Sequence, residues 1–233
     1  VPDRSSTAKL PDRRASRWSG QRDKRRAEFV EAAIAAIEAH GPAVSTGQVA
    51  QHAGVARPQL YRHFQDADDL HRAVGRRAGE LLIAEMAPLL THPGGSPAHM
   101  IDQAVRTLVR WLAEHANLYQ YLTQRAGGGP AGQRGVVADI KTTLGTQLSA
   151  LLGGYLAVFD LSPRIADPIA FGLVGFVESA TDRWLSEPGS LSQEDLADYL
   201  ANWIWGTLDH VFRSAGVVVD PDEPLPPPPG LPE

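Results

Sequence analysis

Arg57, Pro58, Gln59, Tyr61 and His63 fall close together in the stretch VAQHAGVARPQLYRHF, which runs from Val49 to Phe64. Their chemistry points one way. A guanidinium such as that of Arg57 can bond a guanine edge bidentately, and the carboxamide of Gln59 can bond adenine or a phosphate. The hydroxyl of Tyr61 and the imidazole of His63 can reach phosphate oxygens. The flat ring of Pro58 can touch a thymine methyl. Singly, none of these residues means much: His63 alone reads as a satisfied surface histidine, and Phe64 as core. The spacing of the whole set gives it weight.

The surrounding residues supply elements that could position that set. Ser45 can cap a short helix running through Gln51 or His52. Gly54 follows as a residue able to take positive φ at low cost. A further helix starts near Arg57, with Pro58 in a first turn that needs no amide proton, and runs to Phe64. Ala50 is small where the two helices would cross, and Val49, Val55, Leu60 and Phe64 form an apolar seam. Two short helices about a tight glycine turn make a helix-turn-helix, whose second helix can lay its N-terminal residues in a major groove. A longer helix precedes them from Arg22, with Phe29, Ala33, Ala36, Ile37 and His40 on one face, and Gly41-Pro42 stops it. Asp66 caps the helix that follows, with Asp68 and Asp69 in its first turn; it reaches about Leu90, with Pro88 as a place to kink.

STGQVAQHAGVARPQLYRHFQDADDL resembles the DNA-binding head of the tetracycline-repressor (TetR) family, over roughly Arg22–Val74. The Ala-Gly-Val turn followed by Tyr-x-His-Phe carries that resemblance. It implies that Thr46 contacts a phosphate at the start of the second helix. It implies that Arg57, Pro58 and Gln59 form the base-reading segment, and that Tyr61 and His63 contact the backbone. Three positions depart from the pattern. Ala67 stands where the family usually has a Lys, and Gly47 where some members read a base with Arg. Ala56 replaces a common capping Ser, at a cost of ~0.5–2 kcal/mol. Arg22, Lys24, Arg25 and Arg26 offer compensating phosphate or minor-groove contacts.

The rest of the chain reads as helices over about 97–115, 117–126, 133–159, 163–187 and 191–214, separated by THPGGSP, GGGPAG and LSP. No convincing strand occurs, so the fold class is all-α. We expect a disordered basic arm over 1–20, a three-helix helix-turn-helix DNA-binding domain over 21–66, a larger ligand-binding and dimerisation domain over 67–215, and an extended, disordered Pro-rich tail over 216–233. Leu196, Leu200, Trp203, Ile204, Leu208 and Val211 form an apolar stripe on the last helix. Trp205 and Phe212 lie off it, as on a helix buried on two sides. Gly172, Gly175 and Ser179 give the preceding helix a face of small residues. The resemblance implies a dimer packed through this pair, with Leu200, Trp203, Leu208 and Val211 beside the small-residue face. It also implies a ligand pocket. Met86, Met100, Trp111, Tyr119, Leu122, Tyr155, Phe159, Phe171 and Val174 are apolar candidates for its lining, with Glu178 to orient a polar end. Such a lining favours a small, apolar effector.

Composition limits the alternatives. The 233 residues carry a net charge of −5, yet residues 1–72 hold twelve basic and nine acidic side chains while the remainder holds ten and eighteen. A basic head on an acidic body suits a nucleic-acid partner. Cysteine is absent, which removes thiol catalysis, thiolate metal sites and disulfides. No glycine-rich loop ends in Lys-Ser/Thr. The Asp66-Ala67-Asp68-Asp69 run lacks the Gly and Glu of a calcium loop, having His71 and Arg77 instead. We therefore expect no enzyme, no cofactor and no metal. No leader peptide opens the sequence, and no run approaches the ~20 apolar residues of a membrane span, so a cytoplasmic location is expected. The reading is a homodimeric, one-component regulator, a repressor that binds a palindromic double-stranded operator and is released by an apolar effector. The alternative is a DNA-binding regulator or architectural protein without a small-molecule effector, controlled by a protein partner.

Overall fold

Helix-forming runs broken by Gly and Pro dominate the chain, and the computed structural model follows them. It describes residues 13–125, 135–187, 189, 191–226 and 228. The chain divides into two compact units, Val1–Val74 and Gly75–Glu233. The division falls inside one helix, not at residue 66/67 as the sequence suggested.

In the first unit, α1 spans Arg13–His40, α2 Thr46–His52 and α3 Arg57–Leu60. The arm read as disordered over 1–20 is corrected for residues 13–20, which are helical; residues 1–12 lie outside the described residues. No proline interrupts the chain between Pro11 and Pro42, and the one glycine in that part of the helix, Gly20, costs only ~1 kcal/mol against alanine. Phe29, Val30, Ala33, Ala36 and Ile37 of α1 are buried, whereas His40 is exposed. Gly41, at φ 84°, turns the chain out of the helix and donates to the Ile37 carbonyl at 2.8 Å.

Ser45 caps α2 reciprocally with Gln48: the Gln48 amide donates to Ser45 Oγ at 3.3 Å and the Ser45 amide to Gln48 Oε1 at 2.9 Å. Gly54 takes φ 66°, which lets the Val55 amide reach back to the Ala50 carbonyl at 2.9 Å. Helix α3 is shorter than the sequence suggested. It ends at Leu60, and residues 61–63 tighten into a turn in which His63 donates to the Leu60 carbonyl at 3.0 Å. Leu60, Phe64, Val49 and Ala50 close the unit's core.

Helix α4, Ala67–Thr91, begins under an Asp66 cap that accepts from the Asp69 amide at 2.7 Å. In the second unit, α5 spans Pro97–Glu114, α6 Ala116–Arg125, α7 Val136–Val158, α8 Ala166–Ser186 and α9 Gln193–Ser214. The turn Pro163–Ile165 before α8 is 3-10 and is capped by Ser162. Helix α7 lies along α8, and α5 along α9. The small residues Gly75 and Gly79 on α4 receive Val136 and Ile140 from α7. Residues 217–226 form no regular element, but they are not a free tail: Val219 is buried, Leu225 packs on the core, and Leu225 donates to the Gly95 carbonyl at 3.3 Å. Leucine and valine at those two positions give a polar, Pro-rich segment enough apolar surface to dock. No strand occurs among the described residues.

Candidate nucleic-acid interface and apolar cavity

The capped turn of the first unit leaves Arg57, Pro58 and Gln59 together on its surface, all three exposed. Their helix has no side-chain N-cap at Ala56; Pro58 brings no amide proton to the first turn, and the Gln59 amide donates to the Ala56 carbonyl at 2.8 Å. Tyr61, from the turn after α3, donates its hydroxyl to Thr46 Oγ1 at 3.4 Å. That contact ties the start of α2 to the end of α3. Hydrogen bonding with Thr46, then with Arg57, holds the Tyr61 phenol below its ordinary pKa. The Arg57 guanidinium sits 5.6 Å from the Tyr61 ring centre.

His63 packs its ring on Phe29 at 5.1 Å, and its Nδ1 is buried without a partner. Burial, and then the charges of Arg22, Arg25 and Arg26, hold its pKa below the usual value. Both effects favour the neutral ring in the free protein.

The four basic residues of α1 separate into two kinds. Arg22, Lys24 and Arg25 are exposed, with Arg25 paired to Glu28 at 2.7 Å and lying 5.0 Å from the Phe29 ring centre. Arg26 is taken up internally. It binds Asp69 through both nitrogens at 2.7 and 3.2 Å, donates to the His63 carbonyl, and covers the Phe64 ring at 4.2 Å. Arg26, proposed as a DNA contact, is thus a clamp joining α1, the turn after α3 and the start of α4. Arg62 was missed. It is exposed and borders the same basic groove as Arg22, Lys24 and Arg25; its place between Tyr61 and His63 was the available signal.

The second unit holds a cavity of about 150 Å³ with an almost wholly apolar lining. Of the residues proposed to bind a ligand, Met86, Met100, Tyr155 and Val174 line it. Burial raises the pKa of Tyr155, whose hydroxyl points to Met100 Sδ at 3.5 Å. The other candidates lie elsewhere. Trp111 is buried against His115, with ring centres 4.7 Å apart, and Leu122 is an ordinary core residue. Phe159 sets its edge on Phe212 at 5.4 Å. Phe171 covers Gly145 and is partly exposed.

Tyr119 donates to Glu178 at 2.7 Å, and Lys141 pairs with the same carboxylate at 2.9 Å. Burial, and then that carboxylate, push the Tyr119 phenol far above its ordinary pKa. Glu178 is thus already neutralised by its own unit. Residues that do form the wall include Leu148, Leu152, Trp205, Leu208, Val219 and Leu225.

The last two helices also sort differently from the sequence stripe. Leu200 is 0% exposed and Leu208 lines the cavity, so both face inward and neither is a surface residue. Val211 is half-buried. Trp203 is 56% exposed and Tyr199 51%; their rings stack at 5.8 Å, and Phe176 of α8 meets Trp203 at 6.0 Å. Gly172 and Gly175 have open space where a side chain would stand, and Ser179 is exposed. Among the described residues, no cluster of His, Asp or Glu could hold a metal, and no helix is long and apolar enough to cross a membrane.

The chain is similar to known proteins. The family model for bacterial regulatory proteins of the tetR family matches residues 29–74. An uncharacterized HTH-type transcriptional regulator of Mycobacterium tuberculosis is 29% identical over 206 residues, covering 88% of this chain and 86% of that protein. A tetR-family transcriptional regulator of Streptomyces coelicolor superposes with a TM-score of 0.64 at 19% identity, over 83% of this chain and 86% of its own. The transcriptional regulator FadR of Bacillus subtilis, solved in complex with stearoyl-CoA, gives a TM-score of 0.59 at 15% identity, over 76% and 96% of the two chains.

Proposed function

The chain belongs to the TetR family of DNA-binding transcriptional regulators, and from that premise we propose that it is a homodimeric repressor released from a palindromic operator by a small apolar effector. In this reading Arg57, Pro58 and Gln59 meet base edges in the major groove. Thr46, Tyr61, His63, Arg22, Lys24, Arg25 and Arg62 hold the phosphates on either side. Two heads related by a two-fold axis would address half-sites about 34 Å apart, or a multiple of it.

The observation that carries the effector is the cavity. Among the described residues its wall holds no charged side chain, and an apolar pocket of this kind favours a ligand over a purely architectural role. A protein of the same fold is known with stearoyl-CoA, so an effector with an apolar part has a precedent on this fold. For release to be nearly complete, the effector must favour the DNA-free state by ~5.5 kcal/mol.

The test is operator selection from random duplexes with the purified protein, followed by titration of apolar compounds into the complex. The reading expects a symmetric site and at least one compound that lowers occupancy. An asymmetric half-site bound by single chains, or an operator complex indifferent to every apolar compound, would overturn it.

A further inference from the structure

We propose that Val219 and Leu225, on the segment after α9, set which ligands the apolar cavity admits. With the segment seated, the cavity takes an uncharged molecule of about one benzene ring, and a longer apolar chain enters only by displacing the segment. The inference rests on reading that cavity as the effector site.

The segment is built to seat. Gly216, at φ 80°, turns the chain back after α9, and the Val217 amide donates to the Phe212 carbonyl at 3.0 Å. Val219 is 5% exposed and packs in one cluster with Leu156 and Phe212. Leu225 touches that cluster and also a second one, of Leu90, Leu151 and Tyr155, so it bridges two parts of the core. Both side chains line the cavity.

Two backbone hydrogen bonds fix the register. The Ala98 amide, in the first turn of α5 where no intrahelical acceptor exists, donates to the Pro221 carbonyl at 2.9 Å. The Leu225 amide donates to Gly95. Between them the Asp222 amide closes a short turn on Asp220 Oδ1 at 2.9 Å. Asp220, Asp222 and Glu223 are exposed, so the segment wets one side and greases the other. Among the described residues no further backbone hydrogen bond holds it, which makes it the part of the wall able to leave without breaking a helix.

Chemistry and size then select the ligand. The lining offers no charge, and the Tyr155 hydroxyl is directed at Met100 Sδ, so a charged group has no partner inside. An enclosed apolar cavity of ~150 Å³ admits a molecule such as benzene. The seated cavity, at about 150 Å³, matches that size and is too small for a ten-carbon chain.

Toluene and 1-decanol serve as probes on the full chain, with binding followed by calorimetry and the Ala98 and Leu225 amides by hydrogen exchange. Toluene should bind and leave both amides protected. Decanol should bind and expose both, by tenfold or more in exchange rate. Leu225→Ala should strengthen decanol at least tenfold relative to toluene. The exchange measurement needs no variant, so it decides even if Leu225→Ala folds poorly. Decanol binding with both amides still protected would overturn this inference and leave the effector reading standing. Failure of both probes to bind would overturn the effector reading and this inference with it.

Discussion

Arg26 shows how far a side chain's role depends on its partners. Its sequence neighbours Arg22, Lys24 and Arg25 face solvent, while Arg26 is clamped to Asp69 with side-chain exposures of 28% and 16%. The guanidinium hydrogen bond, with help from the Gln65 amide, holds the Asp69 carboxyl below its ordinary pKa against the opposing effect of burial. A carboxylate with a lowered folded pKa contributes stability above its unfolded value, near ~3.9, and loses it as the pH falls through the folded value. Arg26→Ala should therefore destabilise the first unit by roughly 1–3 kcal/mol at pH 7, since it leaves a partly buried carboxylate and a carbonyl unpaired. The loss should shrink toward pH 3, where Asp69 is becoming neutral in the unfolded chain. Thermal melts of wild type and Arg26→Ala at pH 7 and pH 3 check both the size and the direction. Equal losses at the two values would mean that cation packing on Phe64, rather than the ion pair, does the stabilising.

At the scale of elements, two glycines on α4 and one on α7 make opposite predictions from the same substitution. A Cβ on Gly79 would stand 2.8 Å from Ile140 Cγ1, and one on Gly75 would strike Val136 more closely still. A Cβ on Gly153 would sit 3.8 Å from Ala166 and Pro163, in ordinary contact. Gly→Ala in a helix gains ~1 kcal/mol of propensity, whereas overpacking costs ~1–3 kcal/mol. Gly153→Ala should raise the melting temperature, and Gly79→Ala and Gly75→Ala should lower it, the latter most. A stabilising Gly75→Ala, measured by denaturant melts, would mean that α7 does not press on α4.

The same elements show what could be read from the sequence. The helix-turn-helix was legible because its signals are local: a capping Ser45, a positive-φ Gly54, a Pro58 in a first turn. The cavity was not, because its wall is assembled from α4, α5, α7, α8, α9 and the segment beyond α9. Apolar residues at helical spacing say that a side chain is buried, not whether it faces a void. Trp203 and Ile204 are adjacent and both apolar. Periodicity alone could not tell which of the two faces inward, and the structure buries Ile204 and exposes Trp203. The docked segment was hidden by its composition, since only Val219 and Leu225 carry the packing within a run that reads as tail.

For the whole molecule, charge and apolar surface are distributed in ways that bear on assembly. The basic excess lies in the first 72 residues and the acidic excess in the remainder, so an operator is attracted to one unit and repelled by the other. Among the described residues the exposed aromatics gather on α8 and α9, where Phe176, Tyr199 and Trp203 touch in series near the bare backbone of Gly172 and Gly175. Tryptophan and tyrosine that remain exposed and clustered are the residue types that most often dominate interfaces. On the proposed function, a second copy of the chain is the occupant that a palindromic operator would demand. Trp203→Glu places a charge in that cluster without touching the cavity, which Trp203 does not line. It should leave the melting temperature of the single chain within a few degrees of wild type and shift the protein to monomer in sedimentation at micromolar concentration. Operator affinity should then fall by roughly 10²–10⁴-fold, the contribution of a tethered second head, while binding of the isolated half-site stays the same. Leu200→Ala is the contrasting variant: fully enclosed, it should cost about 2–5 kcal/mol of stability with little change in assembly of the protein that remains folded. If Trp203→Glu sedimented as a dimer with undiminished operator affinity, the aromatic face would not be where the two copies meet.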